Sequence, residues 1–232
     1  MFISTLNLSK IYQNGSTKTV ALSEANIALE KSEIGVILGP SGSGKSTLMN
    51  ILGGIDRANS GSAIVDGVDI TTLDDDDLTE YRREKIGFIF QSYNLMPHLT
   101  VRENIEVIEH ISKSPLDMEE VLKAVGLEHK KDSLPRELSG GEQQRVAIAR
   151  AIVKNPKLLL CDELTGALDY ESSIKILSLV QEINRKFQTT ILIITHNAAI
   201  AAMANRMFRF RSGKVTESIV NAETQDARGI DW

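Results

Sequence analysis

The stretch Gly39-Pro40-Ser41-Gly42-Ser43-Gly44-Lys45-Ser46, followed by Thr47, constrains this chain more than any other. It fits the pattern G-x-x-x-x-G-K-[ST], in which glycines let the main chain curl so that successive N–H groups converge on an anion. Ahead of it, Ile34-Gly35-Val36-Ile37-Leu38 is a short apolar run suited to a buried strand. Behind it, the spacing predicts a helix over 46–52, whose positive end points at the same anion. On this reading Lys45 reaches the β- and γ-phosphates, the Ser46 hydroxyl ligates Mg²⁺, and Thr47 hydrogen-bonds the α-phosphate. A ligand-free glycine turn is the competing reading. The flanking strand and helix favour a nucleoside triphosphate.

A chain of 232 residues buries a sizeable core in one domain, or in one core with a subdomain. Its net charge of −5 argues against a broad nucleic-acid footprint. Cys161 is the single cysteine, so no internal disulfide is possible and a reducing compartment is favoured. No basic region followed by a long apolar one opens the chain, so no signal peptide is expected. The longest uncharged run, Phe187 to Asn205, is broken by polar residues and reads as a core strand followed by an alanine-rich helix. Any membrane association is therefore expected through a partner.

Residues 2–8 and about 24–30 alternate like half-exposed strands, with Tyr12-Gln13-Asn14-Gly15 expected as a turn between them. Tyr12 is placed either to stack on a base or to pack a strand edge. Ser60 to Ile70 reads as two extended pieces around an Asp66-Gly67 turn. The carboxylates Asp74 to Asp77 read as a solvated helix start, since basic residues come near its end. Ile86–Phe90 is another buried-strand run, ending at Gln91, and beyond Ser92 the period turns helical. Asn94-Leu95-Met96-Pro97 is either a docking surface or buried packing. His98, His110 and His129 show no metal-ligand spacing. Arg206–Phe210 and Val215–Val220 read as a hairpin, Asn221–Gly229 as a loose tail, and Trp232 as docking back onto the domain.

Two further stretches carry chemistry. Leu138-Ser139-Gly140-Gly141-Glu142-Gln143 opens a long helical run, making a second anion site from N–H groups and helix dipole. Two such helix starts are hard to explain with one site per monomer. Leu158-Leu159-Leu160-Cys161-Asp162-Glu163 ends an apolar strand in two carboxylates: Asp162 is placed to hold Mg²⁺, and Glu163 to act as general base. Ile191–Thr195 delivers His196 in the same way. Ligands of open α/β sheets bind beyond the carboxyl ends of the strands, so Gly39, Asp162 and His196 are expected to converge.

With these motifs in order, the sequence resembles the ATP-binding subunit of ABC transporters over essentially its whole length. The elements are the glycine loop, Gln91, Leu138–Gln143, Asp162-Glu163, Gly166-Ala167-Leu168-Asp169 and His196. The resemblance implies an α/β fold: a P-loop NTPase core with an N-terminal antiparallel β subdomain, an inserted helical subdomain at about 92–154, and a C-terminal hairpin and tail at about 206–232. It implies ATP and Mg²⁺, with the metal held by Ser46, Gln91 and Asp162, and catalytic roles for Glu163, His196 and Gln91. It further implies that Ser139, Gly140, Gly141 and Glu142 serve the ATP of the opposite protomer in a homodimer, with Asp169 in the loop between the two sites. Tyr12 would then stack on adenine.

More narrowly, Gly53-Gly54-Ile55-Asp56, Tyr81–Phe88 and Gln91–Pro97 resemble the macrolide-export, lipoprotein-release and cell-division group. That implies ATP hydrolysis on the cytoplasmic face of the membrane, coupled to a permease with a large extracytoplasmic domain. An ATP-gated regulator of a membrane partner would carry the same motifs. Two positions depart from the family: Cys161 replaces a small residue, and Leu164 replaces proline, which implies a more mobile loop to Asp169.

Overall fold

In the computed structural model, which describes residues 1–231, the chain opens with β1 (Ile3–Asn14), β2 (Thr17–Ala25), β3 (Ala28–Leu29) and β4 (Ile34–Leu38). Then come α1 (Lys45–Leu52), β5 (Ser60–Val65), β6 (Val68–Asp69), α2 (Asp75–Lys85) and β7 (Ile86–Ile89). Helices α3 (Val101–Glu109), α4 (Met118–Ala124) and α5 (Gly140–Ile152) lead into β8 (Leu158–Asp162). The chain closes with α6 (Tyr170–Phe187), β9 (Thr190–Thr195), β10 (Arg206–Arg211) and β11 (Lys214–Val220). Trp232, expected to dock back onto the domain, lies outside the described residues.

Strands whose every residue is apolar must be covered on both faces. The second sheet meets that demand, in the order β11-β10-β4-β9-β8-β7, parallel except for β11. Ile34, Val36, Leu159, Cys161, Ile191 and Ile193 point into a core shared with α3–α6. Their alternating neighbours Ile37, Leu158, Leu160, Leu192 and Ile194 point into a second core, shared with α1, α2 and the antiparallel sheet. That sheet runs β2-β1-β5-β6, with β3 also paired to β1. Among the described residues no helix is long and apolar enough to cross a membrane.

Helix α2 begins where its acidic run predicts, capped by the Asp74 carboxylate on the Asp77 N–H. Other expectations need correction. Tyr12 is not in a turn: β1 continues through it, register-shifted near Lys10, with Tyr12 opposite Thr19. Residues 24–30 are not one strand, because β2 ends at Ala25 and only Ala28–Leu29 pairs again. The alanine-rich segment after β9 is helical as expected, in 3₁₀ form over Ala198–Met203.

The tail is not loose. Its Ala227 and Ile230 are buried. The buried Gln181 amide donates to the Gln225 carbonyl at 2.9 Å and accepts from the Ala227 N–H at 2.8 Å. The Tyr170 hydroxyl donates to the Ile230 carbonyl at 3.0 Å. In the loop to Asp169, Leu164 is buried in the core, and Gly166 N–H bonds the Glu163 carbonyl at 3.0 Å. Cys161 is fully buried, which pushes its thiol pKa up and leaves it a packing residue.

Candidate nucleotide site

Strand register brings the chemistry together. Leu38 pairs with Thr195, Asp162 with Ile194, and Ile89 with Cys161. The carboxyl ends of β4, β9, β8 and β7 therefore share one edge, and the segments leaving those ends meet there. The result is a cleft of about 380 Å³ lined by Ser41 to Thr47, Gln91, Asp162, Glu163 and His196. Ala21 and Ile194 complete the lining, and the sequence did not single them out. Ile194 was visible only as a strand residue, and Ala21 carried no signal.

The loop needs its glycines. Gly44 has φ of 102°, and a Cβ there would lie 2.3 Å from the Ala21 carbonyl oxygen. At Gly39 a Cβ would lie 2.5 Å from the Phe210 carbonyl. Gly44 also serves as the N-cap of α1 with no side-chain hydrogen bond, whereas α2, α3, α4, α5 and α6 are capped by Asp74, Thr100, Asp117, Ser139 and Asp169. The first N–H groups of α1 thus have no competing side-chain acceptor. Lys45 Nζ crosses back over the loop, donating to the carbonyls of Gly39 at 2.8 Å and Pro40 at 2.9 Å. Burial lowers its pKa, opposed by the charges of Glu163 and Asp162.

At Asp162, burial followed by the Glu163 charge raises the pKa. Lys45 and a hydrogen bond with Ser46 act the other way. Glu163 takes left-handed backbone, φ 51°, and its carboxylate meets His196 Nδ1. Gln91 Nε2 lies beside Gly166, 3.1 Å from where a Cβ would stand. The hydroxyl of Ser46, the amide of Gln91 and the carboxylate of Asp162 are hard oxygen donors lining one cleft, a set that suits Mg²⁺ shared with phosphates. Among the described residues no group of three or more His, Cys, Asp or Glu would cage a metal unaided.

Ser139, Gly140, Gly141 and Glu142 are absent from this cleft. They open α5 beside Tyr93, Leu168 and Ser172, near Asp169. Ser139 and Glu142 form a capping box: the serine hydroxyl accepts from the Glu142 N–H, while the glutamate accepts from the Ser139 N–H and hydroxyl at 2.8 and 2.9 Å. Those bonds lower the Glu142 pKa, so an ionised carboxylate sits at this helix start. Tyr12 is half-exposed on β1, and its hydroxyl donates to Asp56 Oδ2 at 2.6 Å and interacts with Thr47. The segment after β7 is pinned by Arg150, which donates to the carbonyls of Tyr93 and Asn94, and by Asn104, which bonds the Met96 backbone.

The family model described as ABC transporter matches residues 22–166, a span running from the end of β2 past the paired carboxylates. The chain belongs to the ABC transporter family. It is an ATP-binding cassette of the ABC ATPase class. It is 43% identical over 99% of its length to an ABC transporter ATP-binding protein of Mycoplasma pneumoniae, the MG065 homolog, and to MG065 of Mycoplasma genitalium. The cassette spans about half the length of these curated relatives, 50% of each.

Among solved structures it is similar to the MJ0796 cassette, described as a dimer in a post-hydrolysis state bound to ADP and Pi. The TM-score is 0.85 at 37% identity, covering 94% of this chain and 98% of that one. It is likewise similar to CbiO1 of Clostridium perfringens, described as part of the complex CbiONQ. There the TM-score is 0.84 at 31% identity, covering 94% of this chain and 87% of the other.

Proposed function

We propose that the cassette binds and hydrolyses ATP as the engine of a membrane transporter, working as a head-to-tail homodimer with two ATP at its interface. One observation carries this reading: the chain owns two phosphate-type helix starts, and Ser139–Glu142 are absent from the cleft that Ser41–Thr47 line. A twofold axis that sets each Ser139–Gly141 turn against the partner's glycine loop satisfies both starts twice. The γ-phosphate then has its full set of donors only in the closed dimer, so ATP shifts the population toward closure.

Within that interface Lys45 and the α1 N–H groups bind the β- and γ-phosphates, and Tyr12 stacks on the adenine. Ser46, Gln91 and Asp162 would hold Mg²⁺, which would supply charge neutralisation to the phosphates. Glu163 accepts the proton of a water whose oxygen bonds the γ-phosphorus as the bond to the β-phosphate oxygen breaks. His196 orients that carboxylate. ADP and phosphate no longer bridge the two protomers, and the dimer opens. Asp169, capping α6 next to the Ser139 turn, links the two sites.

Opening and closing act on a permease at the cytoplasmic face of the membrane, through the segment from Gln91 to Pro97. The resemblance of Gln91–Pro97 and Gly53–Asp56 to the macrolide-export and lipoprotein-release group supports a permease with a large extracytoplasmic domain. The test is light scattering of Glu163→Gln in saturating Mg-ATP with the partner's cytoplasmic elements supplied. A dimer is expected, with turnover reduced roughly 10²–10⁴-fold. A persistent monomer overturns the shared site, and unchanged turnover removes Glu163 from its role.

A further inference from the structure

The site is built on two different sheets. The cleft's phosphate side stands on β4 and α1, while Tyr12, outside the cleft lining and read above as the base platform, stands on β1 of the antiparallel sheet. Base and triphosphate are joined through one ribose, so the distance between these halves must be held closely for both to engage a nucleotide.

The loop after α1 joins them. Asp56 N–H is bonded to the Asn50 carbonyl at 3.2 Å, fixing this residue to the end of α1. Its carboxylate then collects three donors: the Tyr12 hydroxyl at 2.6 Å, Lys10 Nζ at 2.5 Å and its neighbour Arg57 N–H at 2.7 Å. Lys10 is mostly buried and also donates to the Arg57 carbonyl at 2.7 Å. Its ammonium lies 4.9 Å from the Tyr12 ring centroid. Asn59 completes the seam, its side chain accepting from Ile11 N–H at 2.7 Å and its own N–H donating to the Ser9 carbonyl at 2.9 Å. Every donor on the Asp56 carboxylate other than Arg57 comes from β1.

We infer that Asp56 is the positioning residue of the nucleotide site: it locks the Tyr12 ring at a fixed distance from the glycine loop, so that base and phosphates bind as one unit. Lys10 against the ring restricts its rotation and strengthens the same lock. Asp56 touches no nucleotide and acts through Tyr12. The inference rests on the reading of Tyr12 as the base platform, and its test separates the two.

ATP and inorganic tripolyphosphate, each with Mg²⁺, are titrated against the cassette by calorimetry. The proteins are wild type, Asp56→Ala, Tyr12→Phe, the double variant and Tyr12→Leu. A charge-assisted hydrogen bond lost from the platform is expected to weaken ATP about tenfold in Asp56→Ala and in Tyr12→Phe. The double variant is expected to lose less than the two single losses combined, because both single changes remove the Tyr12–Asp56 bond. Tripolyphosphate, which has no base, should bind all five proteins equally.

Equal weakening of ATP and tripolyphosphate by Asp56→Ala would overturn the inference, since the residue would then only support α1. So would ATP binding in Asp56→Ala and Tyr12→Phe that matches wild type while Tyr12→Leu is impaired. ATP binding by Tyr12→Leu that matches wild type would instead defeat the platform reading beneath it. Tyr12→Phe alters a half-exposed side chain, so the test does not depend on how well Asp56→Ala folds.

Discussion

His196 Nδ1 stands 3.0 Å from one carboxylate oxygen of Glu163 and 3.1 Å from the other. With the carboxylate as acceptor, Nδ1 is the donor in this contact and Nε2 lies outside it. The imidazole is largely exposed, at 71%, whereas the Glu163 side chain is only 18% exposed. Glu163 is therefore a largely enclosed carboxylate in contact with a solvent-facing partner at the end of the neighbouring strand.

From this contact, His196→Ala should leave ATP affinity near wild type while reducing turnover roughly 10²-fold, as expected when a general base loses its orienting group. Steady-state ATPase alongside equilibrium ATP binding checks the split. Turnover equal to wild type would mean that the histidine does not govern the carboxylate.

Placement of Ser139 outside the cleft that holds Lys45 makes complementation between copies possible. Lys45→Ala and Ser139→Arg should each be inactive alone. Mixed in equal amounts, half of the dimers carry one intact site, so activity should recover to about a quarter of wild type if the two sites work independently. No recovery at any mixing ratio would argue that both elements act within one chain.

Glu142 places an ionised carboxylate at a helix start assigned to a partner's phosphate. Glu142→Gln keeps an acceptor for the capping box yet removes that charge. ATP-dependent dimerisation should tighten about two- to fivefold at low salt, the gain shrinking as salt rises. Sedimentation at several salt concentrations measures it, and weaker dimerisation would show that the cap matters more than the repulsion.

The glycine loop and the strand ends were legible because each is a local pattern. Gly39–Thr47 carries its own backbone demands, and the apolar runs before Asp162 and His196 can only be central strands. Parallel pairing then aligns their ends without further information. What stayed hidden depends on partners distant in sequence. Tyr12 reads as a turn residue because a register shift near Lys10 breaks the alternation of β1, and its tether to Asp56 spans a separation that no period reveals. The tail reads as loose because it is polar, yet Gln181 and Tyr170 satisfy its backbone from α6. Polar composition predicts looseness only where no buried partner waits.

Lys154 supplies a pH test of packing away from the site. It donates to the Arg82 carbonyl at 2.8 Å, and burial lowers its pKa to about 8, with the charge of Glu84 acting against the shift. In the unfolded chain a lysine titrates near 10.5, so between these values the unfolded state holds more protons, and stability rises with pH. The burial penalty is fully present below about pH 8 and is gone above about pH 10.5. Lys154→Met removes this titration. Its stability relative to wild type should therefore fall by on the order of 2 kcal/mol between about pH 7 and pH 10.5, after allowance for partial exposure. Urea unfolding of both proteins at each pH gives the difference directly, free of the titrations they share. A pH-independent difference would place the Lys154 ammonium in water rather than beneath the Arg82 carbonyl.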